Sequence, residues 1–170
     1  MTILSVEQKS LNINALLQAV QWIRQCLSAK RDGKEFPSFP QEVNTDAIFL
    51  AHLTRKFQLS TFERNILLLC VGMAIDPTFP ELLAQVQGNS KLAYPTFSLA
   101  LTALPEPHWS ILSTENPLKL WQLIEVDTGL SPTTAPLKID ECILCYLLGE
   151  KTFDEQLKSF VNFLPDEVLS

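Results

Sequence analysis

Residues 59–77 read LSTFERNILLLCVGMAIDP, and this stretch decides the fold. Ser60 is a good helix N-cap, and Glu63 three residues later is placed to complete a capping box. From Ile66 to Ile75 no side chain is charged, and Asp76-Pro77 then ends the helix. Phe62, Ile66, Leu69 and Met73 form one stripe at helical spacing, while Leu67, Leu68, Val71 and Ala74 cover the other sides. A helix apolar nearly all round is surrounded by protein, so it is expected at the centre of the core. It is too short to span a bilayer, which needs about 20 residues. Gly72 is expected to let a neighbouring backbone approach closely.

Outward from that centre the chain punctuates itself into further helices. N-terminal to it, Asn12 or Asn14 is expected to cap a helix running to about residue 30. Leu16, Val20, Ile23 and Leu27 form its stripe, widened by Leu17 and Trp22. Lys30, Arg31 and Lys34 suit the negative end of the helix dipole, and Gly33 can close it. Residues 35–43, EFPSFPQEV, form an extended connector, because each Pro biases its predecessor away from helix. Phe36 and Phe39 are expected to pin it to the body. A helix over about 46–57 follows, capped by Asn44 or Thr45, with His52 as a packing residue.

C-terminal to the centre, helices are expected over 77–87 and 95–104, with a short helical turn at 108–112. The period then changes. In residues 118–126, LKLWQLIEV, sides alternate and suggest a strand. Asp127-Thr128-Gly129 marks a turn, and residues 137–139 are the short returning strand. Asp140 caps a helix to Leu148, closed by Gly149. Thr152 with Glu155 opens a last helix over 153–163. The architecture is mainly α, a helical domain carrying a small two-stranded β-ribbon. Three segments follow from it: residues 1–43 packing on the body, a core over 44–150, and a C-terminal helix over 151–170 leading to a linker.

Bulk composition narrows the function. Of 170 residues 46% are hydrophobic, enough for a sizeable core. Thirteen basic residues face nineteen acidic ones, a formal charge of −6. That balance opposes general binding to nucleic acid or an anionic membrane. The acidic excess is concentrated after residue 139, where two basic residues meet seven acidic ones. No secretory signal opens the chain, so the cytosol is the expected location. The four cysteines lie within expected helices, as buried thiols do in a reducing compartment. Cys142 and Cys145 form a C-x-x-C, but no second pair or nearby histidine completes a metal site. There is no Walker-type phosphate loop, no G-x-G-x-x-G turn and no nucleophile elbow. No catalytic, cofactor-binding or metal-binding residues are assigned, and the chain is expected not to be an enzyme.

Helices followed by a ribbon resemble a winged-helix domain. Four blocks make the likeness more specific: residues 59–79, 94–113 (YPTFSLALTALPEPHWSILS), 116–126 (NPLKLWQLIEV) and 135–149 (APLKIDECILCYLLG). Together they resemble the N-terminal winged-helix region of a family of bacterial AAA+ ATPases, some of them encoded with contractile injection systems. The resemblance covers roughly residues 50–160. It implies a non-catalytic domain for protein interaction, substrate recognition or assembly. Its partner would be another protein or the ATPase module of a parent chain. That module is absent here, so the sequence is expected to be either an excised domain or a short relative without the motor.

The alternative is a winged-helix DNA-binding module of a transcription regulator. Neither the candidate reading helix, 95–104, nor the wing tip, 127–136, contains Lys or Arg. Only Lys119 and Lys138 flank the wing, which makes nucleic acid an unfavourable partner. The residues expected to face a protein partner are His108, Trp109, Thr128, Ser131, Thr133 and Thr134. Trp109 is the natural anchor if exposed.

Overall fold

The computed structural model describes residues 5–127, 129 and 131–150. Helix α1 (Val6–Asp32) is followed by α2 (Glu42–Asp46), α3 (Ile48–Lys56), α4 (Thr61–Ile75), α5 (Phe79–Gln87) and α6 (Phe97–Ala103). A 3-10 turn (Trp109–Leu112), the short α7 (Pro117–Leu120), strands β1 (Ile124–Val126) and β2 (Leu137–Ile139), and α8 (Glu141–Leu147) complete the order. No helix among the described residues is long and apolar enough to cross a membrane.

Helix α4 occupies the centre, as its sequence requires. Ile66, Leu67, Leu68, Leu69 and Val71 are completely buried. The capping box forms: Ser60 Oγ accepts from the Glu63 N–H, and a Glu63 carboxylate oxygen accepts from the Ser60 N–H at 2.8 Å. The other Glu63 oxygen accepts from the Asn116 amide, so this buried carboxylate also joins α4 to the start of α7. At the far end, Gly72 faces the ring of Phe79 on α5. The close neighbour there is an aromatic side chain rather than the backbone expected.

Helix α1 lies against α4 and α5, burying Leu16, Ile23 and Leu27 completely. It begins earlier than the sequence pattern suggests, because Ser5 and Gln8 form a capping box about two turns upstream. Asn12 is therefore not a cap. It is buried mid-helix, donating from Nδ2 to the Leu147 carbonyl at 3.0 Å and accepting from the Phe49 N–H. One amide thus serves a carbonyl at the end of α8 and an N–H in the first turn of α3, whose own N-cap residue, Ala47, has no side chain to do so. Leu17, expected in the stripe, is 47% exposed.

The connector is held by Phe39 and not by Phe36. Trp22 donates from its indole nitrogen to the Pro37 carbonyl at 2.9 Å and meets Phe39 edge to face. The Arg64 guanidinium also lies over that ring, 4.0 Å from its centroid. Phe36 remains 43% exposed. The helix expected over 46–57 is α3, entered through Ala47; the short α2 before it takes in the end of the expected connector and both expected caps, so neither Asn44 nor Thr45 caps α3.

The ribbon is shorter than the alternation in residues 118–126 suggests. Asn116 caps α7 by accepting from the Leu118 N–H, Pro117 fills its first turn, and Gln122 with φ 55° turns the chain into β1. Only residues 124–126 are strand. They pair antiparallel with β2, with Ile124 opposite Ile139, Glu125 opposite Lys138 and Val126 opposite Leu137. Leu137 and Ile139 are buried and β2 packs on α4, while Glu125 and Lys138 face water. Asp140 caps α8 through its side chain, as its sequence requires. The last expected helix, over 153–163, lies outside the described residues.

Candidate functional site

The sequence-selected residues occupy two places, joined by α6. At one end, the chain leaving α6 passes through Pro105, Glu106 (φ 55°) and Pro107 to His108. The His108 ring packs edge to face on Phe62, with centroids 5.1 Å apart. Its Nε2 lies 3.0 Å from Ser60 Oγ and its Nδ1 2.6 Å from Ser110 Oγ. Ser60 Oγ already accepts from the Glu63 N–H, so its hydroxyl is free to donate to Nε2. That assignment leaves the proton on Nδ1, donated to Ser110. His108 therefore fixes the turn to the start of α4.

Trp109 comes next and is 68% exposed. Two residues on, Ile111 is completely buried, and the Leu112 carbonyl accepts from Lys119 Nζ at 2.8 Å. The indole is displayed from a turn fastened on both sides. Leu120, on the α7 that this lysine ties to the turn, is 48% exposed. A large aromatic held outward on a fixed backbone loses little freedom on binding, which is why such residues dominate interface energies.

At the other end of α6 lies the loop between the strands. The Thr134 and Ala135 N–H groups both donate to the Ser131 carbonyl, forming a tight turn. The Thr133 carbonyl accepts from the Ser98 N–H at 2.8 Å, and the Leu137 N–H donates to the Pro95 carbonyl at 2.9 Å. The wing thus satisfies a first-turn donor of α6, beside Thr96 Oγ1, which accepts from Leu99. Ser131 and Thr134 are exposed and Thr133 is half-buried, whereas Thr128 lies outside the described residues. Thr134 also lines a cavity of about 210 Å³ with Gln87, Thr96 and Thr102. The structure brings His108 and Trp109 together at α4 and Ser131, Thr133 and Thr134 together at α6; it does not merge the two groups.

The outward surface of α6 is small and uncharged. Phe97, Leu99, Ala100 and Ala103 are buried, and Thr96 at the cap is buried too, donating to the Gln87 side chain. Thr102 is left exposed and Ser98 half-exposed, with Leu101 half-buried against the core, and Thr102 Oγ1 turns back to the Ser98 and Leu99 carbonyls. Of the two flanking lysines, Lys119 is directed inward, over the Phe97 ring and onto Leu112; Lys138 alone is exposed.

Among the described residues no three His, Cys, Asp or Glu side chains gather as metal ligands do. Burial pushes the Cys26 and Cys70 thiols up to about 12. Cys142 and Cys145 are free and half-buried on α8.

A family model described as "Winged helix domain, variant" matches residues 6–161. No curated relative and no solved structure matches the chain. The matched span runs from the first residue of α1 through the wing and α8, and its helices followed by a two-stranded antiparallel ribbon fit that description. The chain belongs to the variant winged-helix domain family.

Proposed function

We propose that this winged-helix domain is a non-catalytic protein-interaction module, serving a AAA+ ATPase as its N-terminal recognition or assembly domain. The observation that carries the proposal is Trp109, 68% exposed on a turn anchored by His108 and Ile111. The four sequence blocks that resemble the AAA+ N-terminal region supply the context. The surface around the indole binds by burying apolar area and pairing hydroxyls, so the domain recognises while a motor elsewhere supplies force.

The same fold in other settings reads DNA, and charge weighs against that use here. A reading helix and wing meet phosphates through several cations aimed outward. This α6 has none, and the described wing region offers only Lys138.

The proposal is tested by Trp109→Ala in a full-length AAA+ relative carrying this domain. An exposed side chain can be removed without opening the core, so the fold persists. Partner capture or ring assembly should weaken by about 30-fold or more, the effect of losing a hot spot of about 2 kcal/mol. Capture and assembly unchanged by the substitution would contradict it.

A further inference from the structure

Strand β2 uses only one of its two edges for the ribbon. The Asp127 N–H donates to the Pro136 carbonyl at 3.2 Å, and the Asp140 N–H to the Leu123 carbonyl at 3.0 Å. In an antiparallel ladder the bonded pairs alternate, so Glu125 and Lys138 form the bonded pair between them. Leu137 and Ile139 therefore direct their backbone groups to the opposite, outer edge. There the Leu137 N–H reaches the Pro95 carbonyl, but Pro95 has no N–H to return to the Leu137 carbonyl. Among the described residues, the Leu137 C=O and the Ile139 N–H have no hydrogen-bond partner. A groove of about 470 Å³ runs along this edge. Leu137 and Ile139 form one wall with Lys138 between them, Pro95 closes it beside Leu137, and the rest includes Met73, Ala74, Leu144 and the Glu141 at the start of α8; no β1 residue lines it.

We infer that this outer edge takes an extended apolar–acidic–apolar segment of a partner protein as an added β-strand. Backbone pairing would supply the acceptor for the Ile139 N–H, on the part of the edge beyond Pro95. The sequence of the occupant follows from the edge already filled. There β1 presents Ile124, Glu125 and Val126 to β2, with Glu125 directly opposite the exposed Lys138. A strand on the outer edge meets Lys138 and Ile139 of the same pattern, with Pro95 bounding it at Leu137. Its alternate residues face the apolar groove above α4 and α8, and the residue between them lies beside Lys138 on the solvent face.

This deepens the protein-interaction reading and rests on it, yet the two surfaces are physically separate. The groove meets α4 near Met73, whereas the turn carrying Trp109 is fastened to Ser60, about 20 Å away along the helix.

The test uses the full chain and a capped peptide, Thr-Thr-Ile-Glu-Val-Thr-Thr, with amide hydrogen exchange followed residue by residue. At ten times the midpoint concentration, exchange at Ile139 should slow roughly tenfold, because only about a tenth of the chain is then unliganded. Ala74→Arg, which places a long side chain in the groove from an exposed position, should abolish the effect. Lys138→Glu should weaken this peptide and favour the version with lysine at its centre. Unaltered exchange at Ile139, or binding indifferent to Ala74→Arg, would overturn the inference. So would an Ile139 amide already slow in the free chain and unaffected by peptide, since the edge would then be paired within the chain. Failure here, with Trp109→Ala still impairing capture, removes the groove and leaves the interaction reading standing. Failure of both removes that reading as well.

Discussion

Gly72→Ala is the substitution whose sign discriminates best. In an open helix interior, replacing Gly by Ala stabilises by about 1 kcal/mol, because the backbone loses less entropy on folding. Here a methyl at position 72 would overlap Cε2 and Cζ of Phe79 and come within 3.0 Å of Cδ2. Phe79 is completely buried, so the ring cannot swing into water. Overpacking of this kind costs about 1–3 kcal/mol, and ejecting the ring would cost about 3–5 kcal/mol, as in deletion of a buried Phe. Two ring carbons overlap at once, which puts the penalty at the upper end of the first range. Set against the helix gain, the net loss is about 2 kcal/mol. With a urea slope of about 2 kcal/mol/M for a domain this size, the unfolding midpoint should fall by about 1 M. Phe79→Leu removes the overlapping atoms, so the double variant should be more stable than the two single losses added together. A midpoint at or above that of the parent chain, or strict additivity in the double variant, would refute this account of the α4–α5 contact.

Asn12→Ala should cost about 1–3 kcal/mol in urea unfolding, because a carbonyl on α8 and an N–H on α3 lose their buried partner. Asn12→Asp should cost more, since it aims a carboxylate at the Leu147 carbonyl; a loss smaller than that of Asn12→Ala would argue against the bond. Alkylation of the folded chain at pH 8 should modify Cys142 and Cys145 well before Cys26 and Cys70, whose raised pKa of about 12 leaves about one ten-thousandth as thiolate. Cys70 labelled as fast as Cys142, read by peptide mapping, would contradict its burial. Those two thiols ionise more easily unfolded than folded, so the stability they contribute is complete below pH 9 and is lost as pH rises towards 12. An unfolding free energy that holds level over that interval in a chain lacking other alkaline transitions would count against it.

Helix α4 was legible because every signal in residues 59–77 agreed: cap, box, unbroken apolarity and an Asp-Pro stop. The returning strand and α8 were legible for the same reason, with Asp140 capping at the boundary. The errors fall where two local signals compete or where the partner is distant in sequence. Residues 118–126 alternate like a strand, yet Asn116-Pro117 is also a helix start, and the helix prevails over the first three residues, 118–120. Asn12 looks like a cap until its bond partner, 135 residues away, is known. Phe36 and Phe39 carry identical local patterns, and only the position of Trp22 and Arg64 selects Phe39.

The candidate site shows the same division. Trp109 and the uncharged α6 could be named from sequence. That His108 is a fastening on Ser60 could not, nor that the Thr133 carbonyl completes the first turn of α6. The free edge of β2 has no local sequence signature beyond Pro95, whose missing N–H matters only once the strand lies beside it.

The most direct test of the account is a titration of the chain with duplex DNA at low salt, repeated as salt is raised. A surface that meets its partner through Trp109, with Lys138 the one exposed lysine or arginine among the described residues 124–139 of the wing, should show nothing tighter than non-specific background at any salt concentration. Micromolar binding that weakens steeply as salt rises would mean that several phosphates are being neutralised, and would contradict the protein-interaction reading in favour of DNA.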